Sequence, residues 1–262
     1  MPASAALAEL KILVNRRFGN LVAGPADTVL ETECCSPATA IPFGLRRLLG
    51  PAGIPKGRLT EIFGLRSSGK TALAFAALAE CTQAGELGAY VDCSGALYAP
   101  AAAAAGIELR RLVVVRPRAA ADARRAIDAL VRGGAFTTAI FDCADAGRLL
   151  ETHHCARLVA QAEKTGTTLV VLSSGDLPAV ASFAALRLRA CGLTPLWQSG
   201  SDGGMRLMGC EAAVEVAKAR TLVAGHAHEL ALLLPDIDYA MGPSQAVPGP
   251  AYAGPTTQAR FA

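Results

Sequence analysis

The sequence predicts an α/β protein whose mainly parallel central sheet is flanked by helices, with antiparallel strands added toward the C-terminus. Three observations carry that expectation. Between Leu59 and Ser174 short apolar runs alternate with helix-period segments, the pattern of repeated strand–helix units. Two of the runs, Leu112-Val113-Val114-Val115 and Leu169-Val170-Val171-Leu172, are continuously apolar, as strands buried on both faces are. From Leu186 the apolar residues alternate with polar ones, as in antiparallel strands with one wet face.

In chain order, residues 5–19 carry Leu7, Leu10, Ile12, Leu13 and Phe18, a helix that packs locally or docks on a neighbouring subunit. Residues 20–58 are punctuated by Pro and Gly, with a strand expected at Thr28–Glu33 and a helical turn at Phe43–Leu49. Leu59-Thr60-Glu61-Ile62-Phe63 has the β-branched and aromatic bias of a strand, and Thr71–Ala79 is a strong helix former. Gly85-Glu86-Leu87-Gly88 breaks the chain before a second strand, Ala89–Asp92, and Ala99–Ala105 is alanine-rich helix. After the Leu112 strand, Ala123, Ile127, Leu130 and Val131 recur at helical spacing, and Gly133-Gly134 ends that helix. Thr138–Asp142 is a buried strand ending in a carboxylate. Cys155, Leu158, Val159 and Ala162 mark the next helix, and Leu169–Ser174 the next strand. The alternating segments beyond are Leu186–Ala190, Arg206–Met208, Ala213–Lys218 and His228–Leu233, with a turn at Ser199–Gly204.

This gives three regions: an N-terminal helix and connection at 1–50, a candidate oligomerisation element; a core at 51–240; and a Pro/Gly/Ala-rich tail at 241–262, expected to be disordered. A net charge of +3 is too mild to announce nucleic acid by itself. No run reaches the ~18 apolar residues of a membrane span, and Glu9 and Lys11 interrupt the short apolar N-terminal stretch. The eight cysteines form no C-x-x-C pair, which reads as reduced thiols in a cytoplasmic protein. His153-His154-Cys155 resembles a metal cluster, but adjacent helical residues are expected to point apart.

Chemistry concentrates in Gly64-Leu65-Arg66-Ser67-Ser68-Gly69-Lys70-Thr71, a G-x-x-x-x-G-K-[ST] phosphate loop between strand and helix. Its glycines let backbone N–H groups converge on anionic oxygens, and the helix N-terminus adds its dipole. Lys70 is placed to reach the outer phosphates of a nucleoside triphosphate, and Thr71 to offer a hydroxyl to Mg2+. Asp142, ending a neighbouring buried strand, is the candidate second magnesium ligand; the alternative is a cap on the following helix. Hydrolysis also needs a residue that orients water, yet Asp92 is followed by Cys93, Ser94 and Gly95. Arg110, Arg111, Arg116, Arg118, Arg124, Arg125 and Arg132 crowd one region, diluted by Glu108, Asp122 and Asp128. That stretch is either a solvated helix face or a patch for DNA or an acidic partner.

Gly57-Arg58-Leu59-Thr60-Glu61-Ile62-Phe63-Gly64 with Ser67-Ser68-Gly69-Lys70-Thr71, and Tyr90-Val91-Asp92 through Ala96-Leu97, resemble the RecA family of recombinases. Val14-Asn15-Arg16-Arg17-Phe18-Gly19 is similar to that family's N-terminal helix and its exit. Val214–Arg220 resembles the late strand whose two basic residues reach the next subunit's γ-phosphate, which makes Lys218 and Arg220 candidate trans contacts. The resemblance implies a RecA-like core that binds ATP and Mg2+. Departures from it imply weak or absent hydrolysis: Ser94 stands at the catalytic glutamate and Ser174 at the γ-phosphate-sensing glutamine. Tyr98 and Ala101 replace the adenine-side Asp and Tyr, so the base would be held differently, with Tyr98 as a stacking surface. Both DNA-binding loops are cut back, since a helix follows Asp142 almost directly and only about ten residues separate Ser174 from Leu186. Within RecA-like proteins this stripped core most resembles the ImuA family of damage-inducible (SOS) mutagenesis cassettes. That resemblance implies an adaptor in translesion synthesis whose partners are an ImuB-like inactive Y-family polymerase, an error-prone replicative-type polymerase, and RecA. The competing expectations are a DNA-dependent ATPase acting on DNA or RecA filaments and a small-metabolite kinase, the last disfavoured by the strands after Leu186.

Overall fold

The computed structural model describes Leu49 and residues 53–142, 149–199, 205–219 and 227–233. The expected N-terminal helix, the strand at 28–33, the turn at 200–204, Arg220 and the tail lie outside these residues. The described elements are β1 (Leu59–Gly64), α1 (Lys70–Gln83), β2 (Gly88–Asp92), α2 (Ala99–Ala104), β3 (Leu112–Val115) and α3 (Ala120–Gly133). They continue with β4 (Thr138–Asp142), α4 (Thr152–Thr165), β5 (Thr168–Ser173), α5 (Pro178–Phe183), β6 (Leu186–Ser199), β7 (Met205–Ala219) and β8 (Ala227–Leu233).

These strands form one eight-stranded sheet in the order β3-β2-β4-β5-β1-β6-β7-β8. Every pair from β3 to β6 is parallel, whereas β6–β7 and β7–β8 are antiparallel. Helices cover both faces. On one, α1 and α2 pack Leu73, Leu78 and Ala102 over Ile62, Tyr90, Ile140, Val170 and Leu188. On the other, α3, α4 and α5 set Ile127, Leu130, Leu158 and Val180 against Leu59, Val91, Phe141 and Val171. Both-face burial is why the central strands read as unbroken apolar runs. No helix among the described residues is long and apolar enough to cross a membrane.

The structure corrects two expectations and adds one element. Leu186–Ala190 runs parallel to β1, Thr60 to Gly64 pairing in register with Leu186 to Ala190, and turns antiparallel only against β7. The alternation was real, since Leu188 and Ala190 are buried in the core beside α1, but it reports which face is apolar and is silent on strand direction. The segments expected at Arg206–Met208 and Ala213–Lys218 are one continuous strand, bent against β6 by irregularities near Leu188, Gly192 and Trp197. Between Ser174 and Leu186 the chain also forms α5, opened by Pro178 in its first turn.

Candidate functional site

β1 delivers the phosphate loop at the carboxyl end of the sheet, and α1 leaves from it at Lys70. The backbone is wound for the role. Gly64, Ser67 and Gly69 all have positive φ, at 156°, 56° and 94°. A side chain at 64 would sit 2.3 Å from the Ala190 carbonyl oxygen, and one at 69 would sit 3.0 Å from Leu193 Cδ2. Glycine is therefore required at 64 by space as well as by conformation, and at 69 by conformation. Leu193 and its β7 neighbour Ala212 show that the antiparallel hairpin packs directly against the cradle.

Lys70 Nζ donates to the Gly64 carbonyl at 2.8 Å and to the Leu65 carbonyl, folding the ammonium over its own loop. Burial pulls its pKa down, and the charge of Asp142 opposes that shift. Ser68 Oγ is buried without a hydrogen-bond partner, while Thr71 stands exposed at the first turn of α1. A bare cradle of turned-in backbone, a lysine held by carbonyls alone and an orphaned buried hydroxyl fit a phosphate chain, which supplies acceptors to all three.

Asp92 and Asp142 face each other in register at the ends of β2 and β4. Asp142 accepts a 2.6 Å bond from the Tyr90 hydroxyl. Burial raises its pKa and Asp92 adds to the rise, while the Tyr90 bond and Lys70 pull it back. With Lys70 and Asp142 coupled at one place and Thr71 opening the same helix, Thr71 and Asp142 are the residues that would hold Mg2+.

Asp92 has another fate. Its carboxylate accepts from the Ala96 and Leu97 backbone N–H groups at 3.0 and 3.1 Å and from Arg116 Nε at 3.0 Å. Ser94 Oγ lies 3.4 Å from the same group, on an exposed turn. Tyr98, just beyond, is 66% exposed at the start of α2. Ser174 is exposed after β5, and its neighbour Ser173 turns inward to bond Glu61 at 3.2 Å.

The remaining candidates are scattered. Lys218 Nζ donates to Ala181 O at 2.8 Å and lies 3.5 Å from Ser182 O, capping the C-terminal carbonyls of α5 within its own chain. Arg116 ties Asp92 to the Leu97 carbonyl, and Arg111 bonds Glu108 and the Gly85 carbonyl. Arg125 pairs with Asp122 at 3.6 Å, and Arg118 and Arg125 are exposed, with Arg124 half-buried. Arg110 also has an interaction partner, so the stretch is not one open patch.

Sequence reasoning missed three features. Tyr90 sits two residues before Asp92, hence on the same strand face, and that spacing was the available signal. Glu61, fully buried in β1, binds Arg187 Nε at 2.6 Å, and Arg187 continues to Asp176 and over the Phe63 ring. The two histidines expected to point apart lie against each other instead, with ring centroids 3.7 Å apart and planes tilted by 42°, and with Glu151 they place three potential ligand atoms within 4.8 Å. Burial, His153, and the charges of Arg124 and Arg157 hold the His154 pKa down, and the dipole at the start of α4 also opposes a cation there. Cys155 points inward instead, and no disulfide links the described cysteines.

A glycine loop between strand and helix, with its lysine coupled to a strand-end aspartate, defines a phosphate-loop α/β protein. More narrowly, the chain belongs to the RecA N-terminal domain family, whose model matches residues 13–153, just over half of the chain. It is 37% identical over 132 residues to "Protein RecA" of Rhodospirillum centenum, covering 49% of this chain and 36% of that protein. The corresponding protein of Rubrobacter xylanophilus is 36% identical over 143 residues, covering 48% and 42%. The chain thus spans well under half the length of the curated relatives it matches. A crystal structure of the RadB recombinase superposes with TM-score 0.52 at 20% identity, covering 71% of this chain and 91% of that one, a likeness of fold.

Proposed function

We propose that this chain is a RecA-like accessory protein of damage-induced mutagenesis, of the ImuA kind. It binds ATP with Mg2+, turns it over slowly or not at all, and acts in the cytoplasm through protein contacts. The cradle, Lys70, Thr71 and Asp142 hold the triphosphate and its magnesium, with Tyr98 exposed at the rim as a surface for the base. Magnesium there neutralises the phosphates.

The carrying observation lies at the end of β2. Where the family has a water-activating glutamate this chain has Ser94, and the adjacent carboxylate of Asp92 is already occupied by two backbone N–H groups and Arg116. A serine cannot take the proton of an attacking water at neutral pH. The short connection from Ser173 to Leu186, filled by α5, supports a reduced DNA grip. The partners this reading names are an ImuB-like inactive Y-family polymerase, an error-prone replicative-type polymerase and RecA. Of the two candidate trans contacts, Lys218 would be available to a neighbouring subunit only if it leaves the α5 carbonyls.

ATP turnover with and without single-stranded DNA tests the proposal. Turnover near background and indifferent to DNA is expected, and strong stimulation by DNA would establish a DNA-dependent ATPase instead. Retention on DNA, if any, should vanish as salt rises, because phosphate contacts release counterions. Pull-downs against the cassette polymerases and RecA, repeated with Lys70→Ala, test the adaptor role. Partner binding that survives this change means nucleotide only stabilises the fold, whereas its loss means nucleotide switches the contact.

A further inference from the structure

We propose that Tyr90 is a positioning residue for magnesium-dependent nucleotide binding, its buried hydroxyl fixing the Asp142 carboxylate through Oδ2 and leaving Oδ1 for the cation. This rests on the nucleotide reading above and adds to it a residue outside the phosphate-loop pattern.

The tyrosine ring is immobilised from two directions. Tyr90 is fully buried in β2, and Phe75 of α1 meets it edge to face at a centroid distance of 6.2 Å. β2 and β4 pair in parallel with Tyr90 opposite Ile140 and Asp92 opposite Asp142, so strand alternation puts Tyr90 and both carboxylates on the α1 face. From that position the phenol reaches diagonally to Asp142 rather than to Asp92, and closes a 2.6 Å bond. A phenylalanine would fill the same core space without burying a hydroxyl, and a buried hydroxyl is costly unless bonded. Its partner here is the candidate magnesium ligand. Burial and the two nearby carboxylates hold the phenol pKa far above its ordinary range, so the hydroxyl is a donor at any working pH. The Asp142 side chain is half-exposed at a strand end, and the Tyr90 hydroxyl is the donor that fixes its rotamer.

The test uses the full chain and a fluorescent ADP analogue, read as the ratio of Kd in EDTA to Kd in magnesium. Wild type should show a ratio well above one, and Tyr90→Phe should cut it about tenfold, the weight of a hydrogen bond to a charged group. Asp142→Asn should bring the ratio close to one. Adding Tyr90→Phe on that background should change it less than about twofold, because the hydroxyl acts only through the carboxylate. An unchanged ratio in Tyr90→Phe with a normal wild type overturns this proposal alone, as does a further loss in the double variant. A wild type that binds no nucleotide overturns it together with the nucleotide reading.

A second measurement leaves the packing intact should Tyr90→Phe fold poorly. In protein labelled with 3-fluorotyrosine, the 19F line of the buried tyrosine, protected from a soluble paramagnet unlike exposed Tyr98, should move when magnesium joins the ADP complex. A line that stays still would sink the proposal.

Discussion

The ends of β2 and β4 look alike in sequence and do opposite things. Each strand closes on an aspartate, and the two residues pair in register. At β2, Asp92 is 1% exposed and its oxygens are taken by two backbone N–H groups and a guanidinium, which fold residues 93–97 into a fixed turn. At β4, Asp142 keeps one tyrosine and a coupled lysine, and burial makes its charge uncomfortable. A saturated carboxylate is scaffold, while an under-coordinated one beside a phosphate cradle is ready for a cation. What separates them is the number of donors within reach.

The largest effect that could break this contrast is Asp92→Ala. It strips acceptors from two backbone N–H groups, one of them on buried Leu97, and leaves Arg116 without its anion. A loss of about 3 kcal/mol in urea unfolding is expected, at the scale of breaking a buried charged network. A loss under about 1 kcal/mol would mean that the turn at 93–97 holds itself.

Asp142→Asn should act in the reverse sense on the unliganded chain. The folded pKa of Asp142 is raised, so its favourable contribution is complete at acid pH and fades as pH climbs through the raised value. Asparagine removes that fading. The variant should gain stability relative to wild type as pH goes from the ordinary carboxylate value near 4 up to neutrality, while losing its magnesium response. Urea midpoints at the two pH values settle it, and a gap between the proteins that does not widen with pH would refute the strained-carboxylate view.

Arg116→Gln comes next. The guanidinium is about half exposed, so its pair with Asp92 is discounted for solvent, and about 1 kcal/mol is expected. The backbone bonds to Asp92 survive in this variant, so a loss as large as that of Asp92→Ala would show that Arg116 rather than the turn is the main lock.

Much of this was legible in the chain and some was not, for physical reasons. The phosphate loop was readable because the positive φ that calls for glycine at 64 and 69 is set within a few residues, although the clearance at both positions is set from β6. Strands β3 and β4 were readable to the residue, since burial on both faces leaves a run without alternation. The parallel entry of β6 was not, because pairing partner is a non-local property that alternation cannot encode. Nor was the saturation of Asp92, which depends on Arg116 arriving from the far end of β3. The Glu61–Arg187 pair was hidden for the same reason: 126 residues separate its members, and a glutamate inside a strand reads as a solvent-facing residue until its partner is placed. The arginine stretch could not be resolved into individual roles, because sequence crowding says nothing of which acids or carbonyls each side chain finds.

The smallest prediction sharpens the contrast most. Ser94 Oγ stands 3.4 Å from Asp92 on an exposed turn, a long bond competing with water and with three better donors for the same carboxylate. Ser94→Ala should therefore change stability by less than about 0.5 kcal/mol, as surface substitutions away from buried networks do. If so, position 94 carries little of the structure, and Ser94→Glu becomes an informative gain-of-function trial with ATP turnover as its readout. A loss above about 1 kcal/mol in Ser94→Ala would mean that the serine has been recruited into the lock on Asp92. The missing glutamate would then be part of how this turn is built.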